Sequence, residues 1–309
     1  SLCYQLPALV QEGTAIVVSP LIALMKNQVD AVRGFSQTGQ IAHFLNSSLS
    51  KAEIAQVKSD VLSGKTKMLY VAPESLTKKE NIDFLTTVEI SFFAIDEAHC
   101  ISHWGNDFRP AYKNINILRE LQPGINVVAL TASATPKVVQ DIIKELDFIK
   151  PKIFKQSFSR PNLAYLVLHE DDKYYRMESI LKKYTAASII YVRNRKLTLE
   201  ISTFLESKGI TATYYHGGLS NAEKDRFMQQ WLNDQKQVMV ATNAFGMGID
   251  KPDVKTIIHF NLPESLESYF QEAGRAGRNG EKAFAVILKN KGDEISVKNQ
   301  FLSVLPTVD

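Results

Sequence analysis

Asp96 and Glu97 follow a short apolar run, Phe92 to Ile95, whose aromatic and β-branched content suits a buried strand. Two acids at the carboxyl end of such a strand stand where open α/β sheets bind their ligands. One carboxylate there can hold Mg2+, usually through water, and a second can orient or deprotonate an attacking water; Asp96 suits the first role and Glu97 the second. An isolated Asp-Glu pair more often caps the next helix. The balance shifts here because other segments converge on the same chemistry. Directly downstream, Cys100 to Tyr112 interleaves Trp104, Phe108 and Tyr112 with His103 and Arg109, a composition suited to stacking on bases beside a phosphate.

Four more segments place polar residues just past apolar runs. Thr131, Ser133 and Thr135 precede Pro136, and small hydroxyls there can bond a phosphate or a neighbouring carboxylate and relay a change between them. The same residues also suit an N-cap and turn before a helix beginning at Pro136. Ser19, Pro20 and Leu21 read as a helix start, where capping outweighs a phosphate contact. From Val240 to Asp250, Thr242, Gly246, Gly248 and Asp250 could line a phosphate-facing loop or a tight turn. Gln271 to Arg278 is the decisive partner. If helical, it sets Arg275 and Arg278 on one face, with Gly274 and Gly277 clearing the space beside them. Two guanidiniums so placed can reach a γ-phosphate bound on another domain. His169, His216 and His259 have no metal-ligand partners at useful spacing and suit packing or turn roles.

The elements that must position these residues alternate. Strand-like runs fall at Ala15 to Ser19, Lys67 to Val71, Phe92 to Ile95 and Val127 to Thr131, with helical patterns between, such as Leu21 to Val32 and Lys51 to Leu62. Ser50 with Glu53 predicts a capping box for the latter. A second set follows at Ala164 to Leu168, Ser188 to Val192, Ala212 to Tyr215, Gln237 to Ala241, Lys255 to Phe260 and Ala283 to Leu288. Such alternation predicts two α/β domains, each a mostly parallel sheet flanked by helices. The expected limits are 1–152 and 153–290, with 291–309 the start of a C-terminal extension. The hinge is expected in the polar segment bracketed by Pro151 and Pro161.

Composition sets outer bounds. The 309 residues favour two domains, and 45% hydrophobic content supports a real core. A formal charge of +3 neither demands nor excludes nucleic acid, so any basic patch is local. Two cysteines, Cys3 and Cys100, cannot supply a thiolate-rich zinc site and suit a reducing compartment. No run approaches the roughly 18 apolar residues of a membrane span, and no leader opens the chain. The reading is of a soluble protein of the cytoplasm, nucleoid-associated, or of the nucleus, neither secreted nor membrane-bound. Ser1 to Val10 reads as a helix entered in mid-stride, with something upstream expected.

The order of segments resembles the helicase motifs of the RecQ family: Ser19 to Gln28, Asp96 to Tyr112, Thr131 to Pro136, Phe158 to Asn162, Tyr214 to Leu219, Ala241 to Asp250 and Gln271 to Arg278. A DEAH-type box alone would indicate only a broad helicase superfamily. The Cys-Ile-Ser-x-Trp-Gly-x-Asp-Phe-Arg-Pro extension is similar to the aromatic-rich loop that marks RecQ enzymes. The resemblance implies two tandem RecA-like P-loop NTPase domains. They would bind ATP and Mg2+ in the cleft between them and single-stranded DNA across their top, moving 3′ to 5′ and unwinding duplex or forked DNA. By position, Asp96 and Ser1 would engage Mg2+, Glu97 would activate water, and His99 would link the nucleotide site to the rest. Gln271, Arg275 and Arg278 would complete the site, Arg278 as the arginine finger, with Gly248 and Asp250 beside the nucleotide. DNA would meet Ser19, Pro20, Leu21, Trp104, Phe108, Arg109, Arg160, Asn162 and Thr242, while Thr131, Ser133 and Thr135 couple the two sites.

The chain also departs from that pattern. His103 stands where the family usually has Gln, Asn106 where it often has His, and Tyr191 to Arg195 lacks the usual Cys and Ser. Ser1 to Pro7 resembles the tail of a P-loop whose Lys is not within the chain, so these residues alone are expected to hydrolyse poorly. No zinc is expected, since two cysteines cannot make the family's four-cysteine site. A non-hydrolysing nucleic-acid-binding module and an RNA helicase stand as the alternatives.

Overall fold

The apolar runs form strands because each is short, rich in Val, Ile and Phe, and closed by a turn, so both its faces can be buried under helices. The computed structural model describes residues 1–36, 38–103, 108–246, 249 and 251–304, with the backbone alone at 23, 300, 301, 303 and 304. It divides into two compact units, Ser1–Lys155 and Gln156–Asp309.

In the first unit the order is α1 (Leu2–Val10), β1 (Thr14–Val18), α2 (Ile22–Gly34), β2 (Ala42–Leu45), α3 (Lys51–Leu62), β3 (Met68–Val71), α4 (Lys79–Thr86), β4 (Ile90–Ile95), α5 (Asn116–Leu121), β5 (Val127–Ala129) and α6 (Pro136–Glu145). The strands run parallel in the order β2-β3-β1-β4-β5. Their period of two divides the core into two layers. Ile16, Val18, Leu69, Phe93 and Ile95 pack with Val57, Val138 and Ile142 of α3 and α6. Ala15, Val17, Met68, Tyr70 and Ala94 pack with Tyr4, Met25 and Val29 of α1 and α2. The capping box of α3 forms, Ser50 Oγ accepting from Glu53 N at 3.3 Å and Glu53 Oε2 from Ser50 N at 2.7 Å. β2 has no counterpart among the expected strands; it is four residues long and interrupted by His43, which reads as polar but sits in a buried polar network.

In the second unit the order is β6 (Leu163–His169), α7 (Lys173–Lys183), β7 (Ser188–Tyr191), α8 (Arg195–Ser207), β8 (Ala212–Tyr215), α9 (Asn221–Leu232), β9 (Val238–Ala241), β10 (Thr256–His259), α10 (Leu266–Ala273), β11 (Ala283–Lys289) and α11 (Lys291–Val304). The parallel order is β6-β11-β10-β7-β9-β8. Ile189, Met239, Ile257 and Ala285 face one core layer, and Ile190, Val240, Ile258 and Val286 the other. The buried ammonium of Lys173 donates to the Phe260 carbonyl at 2.7 Å and pairs with Asp293 at 2.5 Å, which fixes α11 to the sheet.

One expected helix stops short. Gln271 lies in α10, but the helix ends at Ala273 and residues 274–279 continue as turns. Arg275 N and Ala276 N bond back three residues, to Glu272 O and Ala273 O, and Gly277 takes φ +63°, a conformation no helix can include. Arg275 and Arg278 are therefore not i and i+3 on one helix face. No described helix is long and apolar enough to cross a membrane.

Candidate active site

The ladder runs one residue past β4, with Asp96 N donating to Val18 O at 2.9 Å, so the Asp96 carboxylate emerges at the sheet's carboxyl edge. Its Oδ1 accepts from Glu97 N at 3.0 Å, its Oδ2 from the Tyr4 hydroxyl at 3.3 Å, and its carbonyl from the Tyr112 hydroxyl at 2.9 Å. Burial, then the neighbouring Glu97 charge, raises its pKa above the ordinary carboxylate value. Glu97 itself has φ 48° and ψ 45°, a left-handed conformation uncommon outside glycine and one that costs roughly 1–3 kcal/mol. Ala98 N bonded to Leu130 O at 2.8 Å and Cys100 N bonded to Glu97 O at 2.9 Å hold it there. The kink opens a one-turn 3-10 helix, Ala98–Ile101, that turns His99 inward.

His99 is fully buried, and its Nδ1 lies 3.3 Å from Glu97 Oε2 and 3.1 Å from Thr131 Oγ1. The two strand-end segments, Asp96 to His99 and Thr131 to Thr135, thus meet at one imidazole. Thr131 Oγ1 also accepts from Ser133 N at 3.4 Å, whereas Thr135 faces outward and caps α6 through Val138 N. A second tie joins the same elements, the Ser102 hydroxyl donating to Asp141 on α6 at 2.5 Å.

The donor set suits Mg2+. The cation favours hard oxygens and is usually held by one or two carboxylates with phosphate and water completing the shell. Asp96 offers a half-buried carboxylate whose ionised form is disfavoured by its surroundings, a cost that a cation would offset. Ser1 sits exposed at the head of α1, and its side chain makes no capping bond. Among the described residues no three His, Cys, Asp or Glu side chains converge on a metal position.

Trp104 and Asn106 lie outside the described residues. His103 stacks on Phe108 with ring centroids 3.8 Å apart, and Lys113 Nζ stands 5.8 Å from the Phe108 ring. Arg109 N bonds back to Cys100 O at 2.8 Å, and its Nη1 donates to Pro20 O at 2.8 Å, which brings the aromatic stretch onto the 19–21 segment. Tyr112 corrects the expectation of a row of stacking rings. It is fully buried, and its hydroxyl is held to the Asp96 carbonyl. Ser19 is corrected as well: it is fully buried with no hydrogen-bond partner for Oγ, and Leu21 rather than Ser19 is the N-cap of α2. Pro20 is buried too, so neither side chain is presented to a phosphate.

In the second unit Thr242 is buried, its Oγ1 accepting from Ala244 N at 3.4 Å; Gly248 and Asp250 lie outside the described residues. Arg275 is buried with its Nε unpartnered, and its Nη2 lies 3.1 Å from where a Cβ on Gly246 would stand. A side chain at 246 would require the guanidinium to give way by a few tenths of an ångström. Tyr191, which donates to Phe245 O at 3.0 Å, has its pKa pushed up to about 12 by burial, with Arg275 opposing. Arg278 is exposed, its Nη1 donating to Ile249 O at 3.2 Å. Both arginines therefore face the loop that follows β9. Arg160 and Asn162, expected on DNA, instead give their donors to main-chain carbonyls between Gly274 and Glu281. Arg193 had no place among the expected site residues. It lines a cavity of about 40 Å3 with Asn243, Asn261 and Glu272 at the ends of β7 and β10, and its Nε is unpartnered.

Residues 1–142 match the DEAD/DEAH box helicase family, and residues 172–280 match the helicase conserved C-terminal domain. The chain is 44% identical over 295 residues to the ATP-dependent DNA helicase RecQ of Bacillus subtilis, covering 95% of this chain and 49% of that protein. It is 42% identical over 297 residues to the ATP-dependent DNA helicase RecQ of Pasteurella multocida, covering 95% and 46%. It thus spans about half the length of these curated relatives. Among solved structures, S. cerevisiae Dbp5 bound to RNA and ADP BeF3 superposes with a TM-score of 0.72 at 18% identity, covering 100% of this chain and 81% of that one. That likeness supports the fold, two tandem RecA-like α/β units. The chain thus carries both helicase domains, and over 95% of its length it is similar to RecQ helicases.

Proposed function

We propose that the chain is the motor of an ATP-dependent DNA helicase, coupling ATP hydrolysis to 3′ to 5′ movement along single-stranded DNA and to unwinding of duplex DNA. The observation that carries this reading is the covalent and hydrogen-bonded continuity between the acids and the aromatic stretch. Tyr112 reaches back to the Asp96 carbonyl, Arg109 reaches Pro20, and His99 joins Glu97 to Thr131.

In this reading Asp96 and Ser1 hold Mg2+, which neutralises phosphate charge when bound. Glu97, held by its left-handed backbone at the strand end, orients the attacking water and takes its proton. His99 shares its Nδ1 between Glu97 and Thr131, so a shift of the Thr131 segment changes where the Glu97 carboxylate is held. Arg275 and Arg278 bring positive charge to the γ-phosphate, Arg278 as the finger because it is the exposed one. Trp104, Phe108 and Arg109 meet the DNA strand, and its arrival is transmitted through Tyr112 to the Asp96 main chain. The relatives' names favour DNA over RNA as the strand and turnover over passive binding. The domain limits proposed remain 1–152 and 153–290.

The test is DNA-stimulated ATPase in the full-length protein. Glu97→Ala is expected to lower the stimulated rate by about 10²–10⁴-fold, the usual worth of a general base, while nucleotide still binds. An unchanged stimulated rate would remove Glu97 from the mechanism.

A further inference from the structure

Arg275 and Arg278 lie on a run of turns after α10, where no sheet ladder or helix holds the backbone. Guanidiniums that must meet a phosphate need to be held within about 0.5 Å, which turns alone do not provide. Here two side chains from the entrance to β6 supply the restraint. Arg160 Nη1 donates to Gly274 O at 3.3 Å, and its Nη2 to Ala276 O at 3.1 Å and to Gly277 O at 2.9 Å. Asn162 Nδ2 donates to Gly277 O and to Glu281 O, each at 2.8 Å. Besides Glu281 O, the acceptors are the carbonyls on either side of Arg275 and the one immediately before Arg278.

The clamp is itself fixed to the sheet. Asn162 O accepts from Ala283 N at 2.8 Å, and the next residue, Leu163, begins the β6–β11 register opposite Ala283. On its other side the turn is pinned by Gly277 N to Val254 O at 2.8 Å and Asn279 N to Pro252 O at 3.0 Å. Asn162 spends both amide protons on these carbonyls and has none left for a nucleic-acid phosphate. A lysine at 160 could not replace the planar fork that spans three carbonyls at once.

We propose that Arg160 and Asn162 are positioning residues for Arg275 and Arg278, a side-chain clamp that sets the backbone of the arginine turn before nucleotide arrives. The inference rests on the reading of those arginines as phosphate-directed.

The experiment compares Arg160→Lys, Asn162→Ala, Arg275→Ala, Arg278→Ala and the double variant Asn162→Ala/Arg278→Ala in the full-length protein. It measures DNA-stimulated kcat, KM for ATP, single-stranded DNA affinity and the melting midpoint. Arg160→Lys and Asn162→Ala are expected to lower kcat by about 10- to 100-fold, as misplaced catalytic groups do, with KM and DNA affinity within about twofold of the parent. The double variant is expected to lose clearly less than the product of the two single losses, since the clamp acts in part through Arg278. Multiplicative loss in the double variant overturns the inference, as does weakened DNA binding with an intact kcat at saturating DNA. A lowered melting midpoint with unchanged kcat well below it also overturns it, leaving a purely structural tie. If Arg275→Ala and Arg278→Ala themselves leave kcat intact, the arginine reading fails first and the clamp's catalytic purpose falls with it.

Discussion

Gly277 and Gly280 stand three residues apart in the arginine turn and differ in one respect that can be measured. Both have positive φ, +63° and +84°, so an alanine at either pays the left-handed penalty of about 1–2 kcal/mol. At Gly280 nothing lies within 4 Å of the new Cβ. At Gly277 it would stand 2.7 Å from Asn162 Nδ2, 2.8 Å from Ala283 Cβ and 3.0 Å from Glu281 O. The last two belong to β11 and its entry, which cannot retreat without breaking the strand pairing, so overpacking adds about 1–3 kcal/mol. Gly280→Ala should therefore cost about 1–2 kcal/mol and Gly277→Ala about 2–5 kcal/mol. Urea unfolding at constant m-value reads the two directly, and in thermal melts each kcal/mol corresponds to about 2–4 °C for a unit of this size. Gly277→Ala should also depress DNA-stimulated ATPase, because the backbone before Arg278 must move, whereas Gly280→Ala should leave it near the parent. Adding Asn162→Ala to Gly277→Ala relieves one of the three close contacts, so stability should be rescued in part while the ATPase is not. Equal unfolding midpoints for the two glycine variants would refute the crowding on which this reasoning depends.

Two further outcomes test the first unit. Tyr112→Phe keeps the buried ring and removes only the hydroxyl bonded to the Asp96 carbonyl, at a cost of about 1 kcal/mol, or up to about 3 kcal/mol if that carbonyl is left unpaired; the melting midpoint and kcat should both fall, and neither moving would refute the tie. His43 sets a pH dependence. Arg33 Nη2 can only donate, so the His43 Nδ1 at 2.9 Å must accept, and the ring's one proton sits on Nε2, 3.1 Å from Asp60. Burial, then the Arg33 charge, lowers the His43 pKa below its ordinary 6.5, against the opposing pull of Asp60. The unfolded chain therefore takes up the proton first, and stability is full above pH 6.5 and falls as pH drops toward the lower folded-state value. Melts across that range should show the slope, and His43→Asn should flatten it.

Much of this was legible in the sequence, for identifiable reasons. Apolar runs ending at Asp96, Thr131 and Thr242 marked strand ends because the middle of a parallel strand covered on both faces is mostly apolar, and polar groups gather where it leaves the sheet. The Ser50 and Glu53 spacing announced a reciprocal cap that depends only on residues three apart. β2 escaped because four residues interrupted by His43 carry too little pattern, and the partners that make this histidine acceptable in the interior, Arg33 and Asp60, lie ten and seventeen residues away. Tyr112 misled for a related reason. Spaced at 104, 108 and 112, three aromatics read as one row, but which ring turns inward is decided by the bond to Asp96 O and by the 3-10 turn Pro110–Ile115.

The arginine turn shows where local reading ends. A helix through Arg278 is the natural extrapolation of α10, and one residue, Gly277 at φ +63°, is enough to end it. A glycine in sequence does not announce which conformation it takes. What makes the left-handed choice pay is the contact set around it, Asn162 and Arg160 reaching across 114 to 119 residues to main-chain carbonyls. Such bonds leave no trace in composition or spacing, because a carbonyl is offered by every residue alike. Only the donor is distinctive, and an Arg and an Asn flanking a proline at a domain entrance suggest a nucleic-acid contact as readily as a clamp. The carbonyl partners decide between them: once both amide protons of Asn162 are committed, the pair acts on the backbone that carries Arg275 and Arg278.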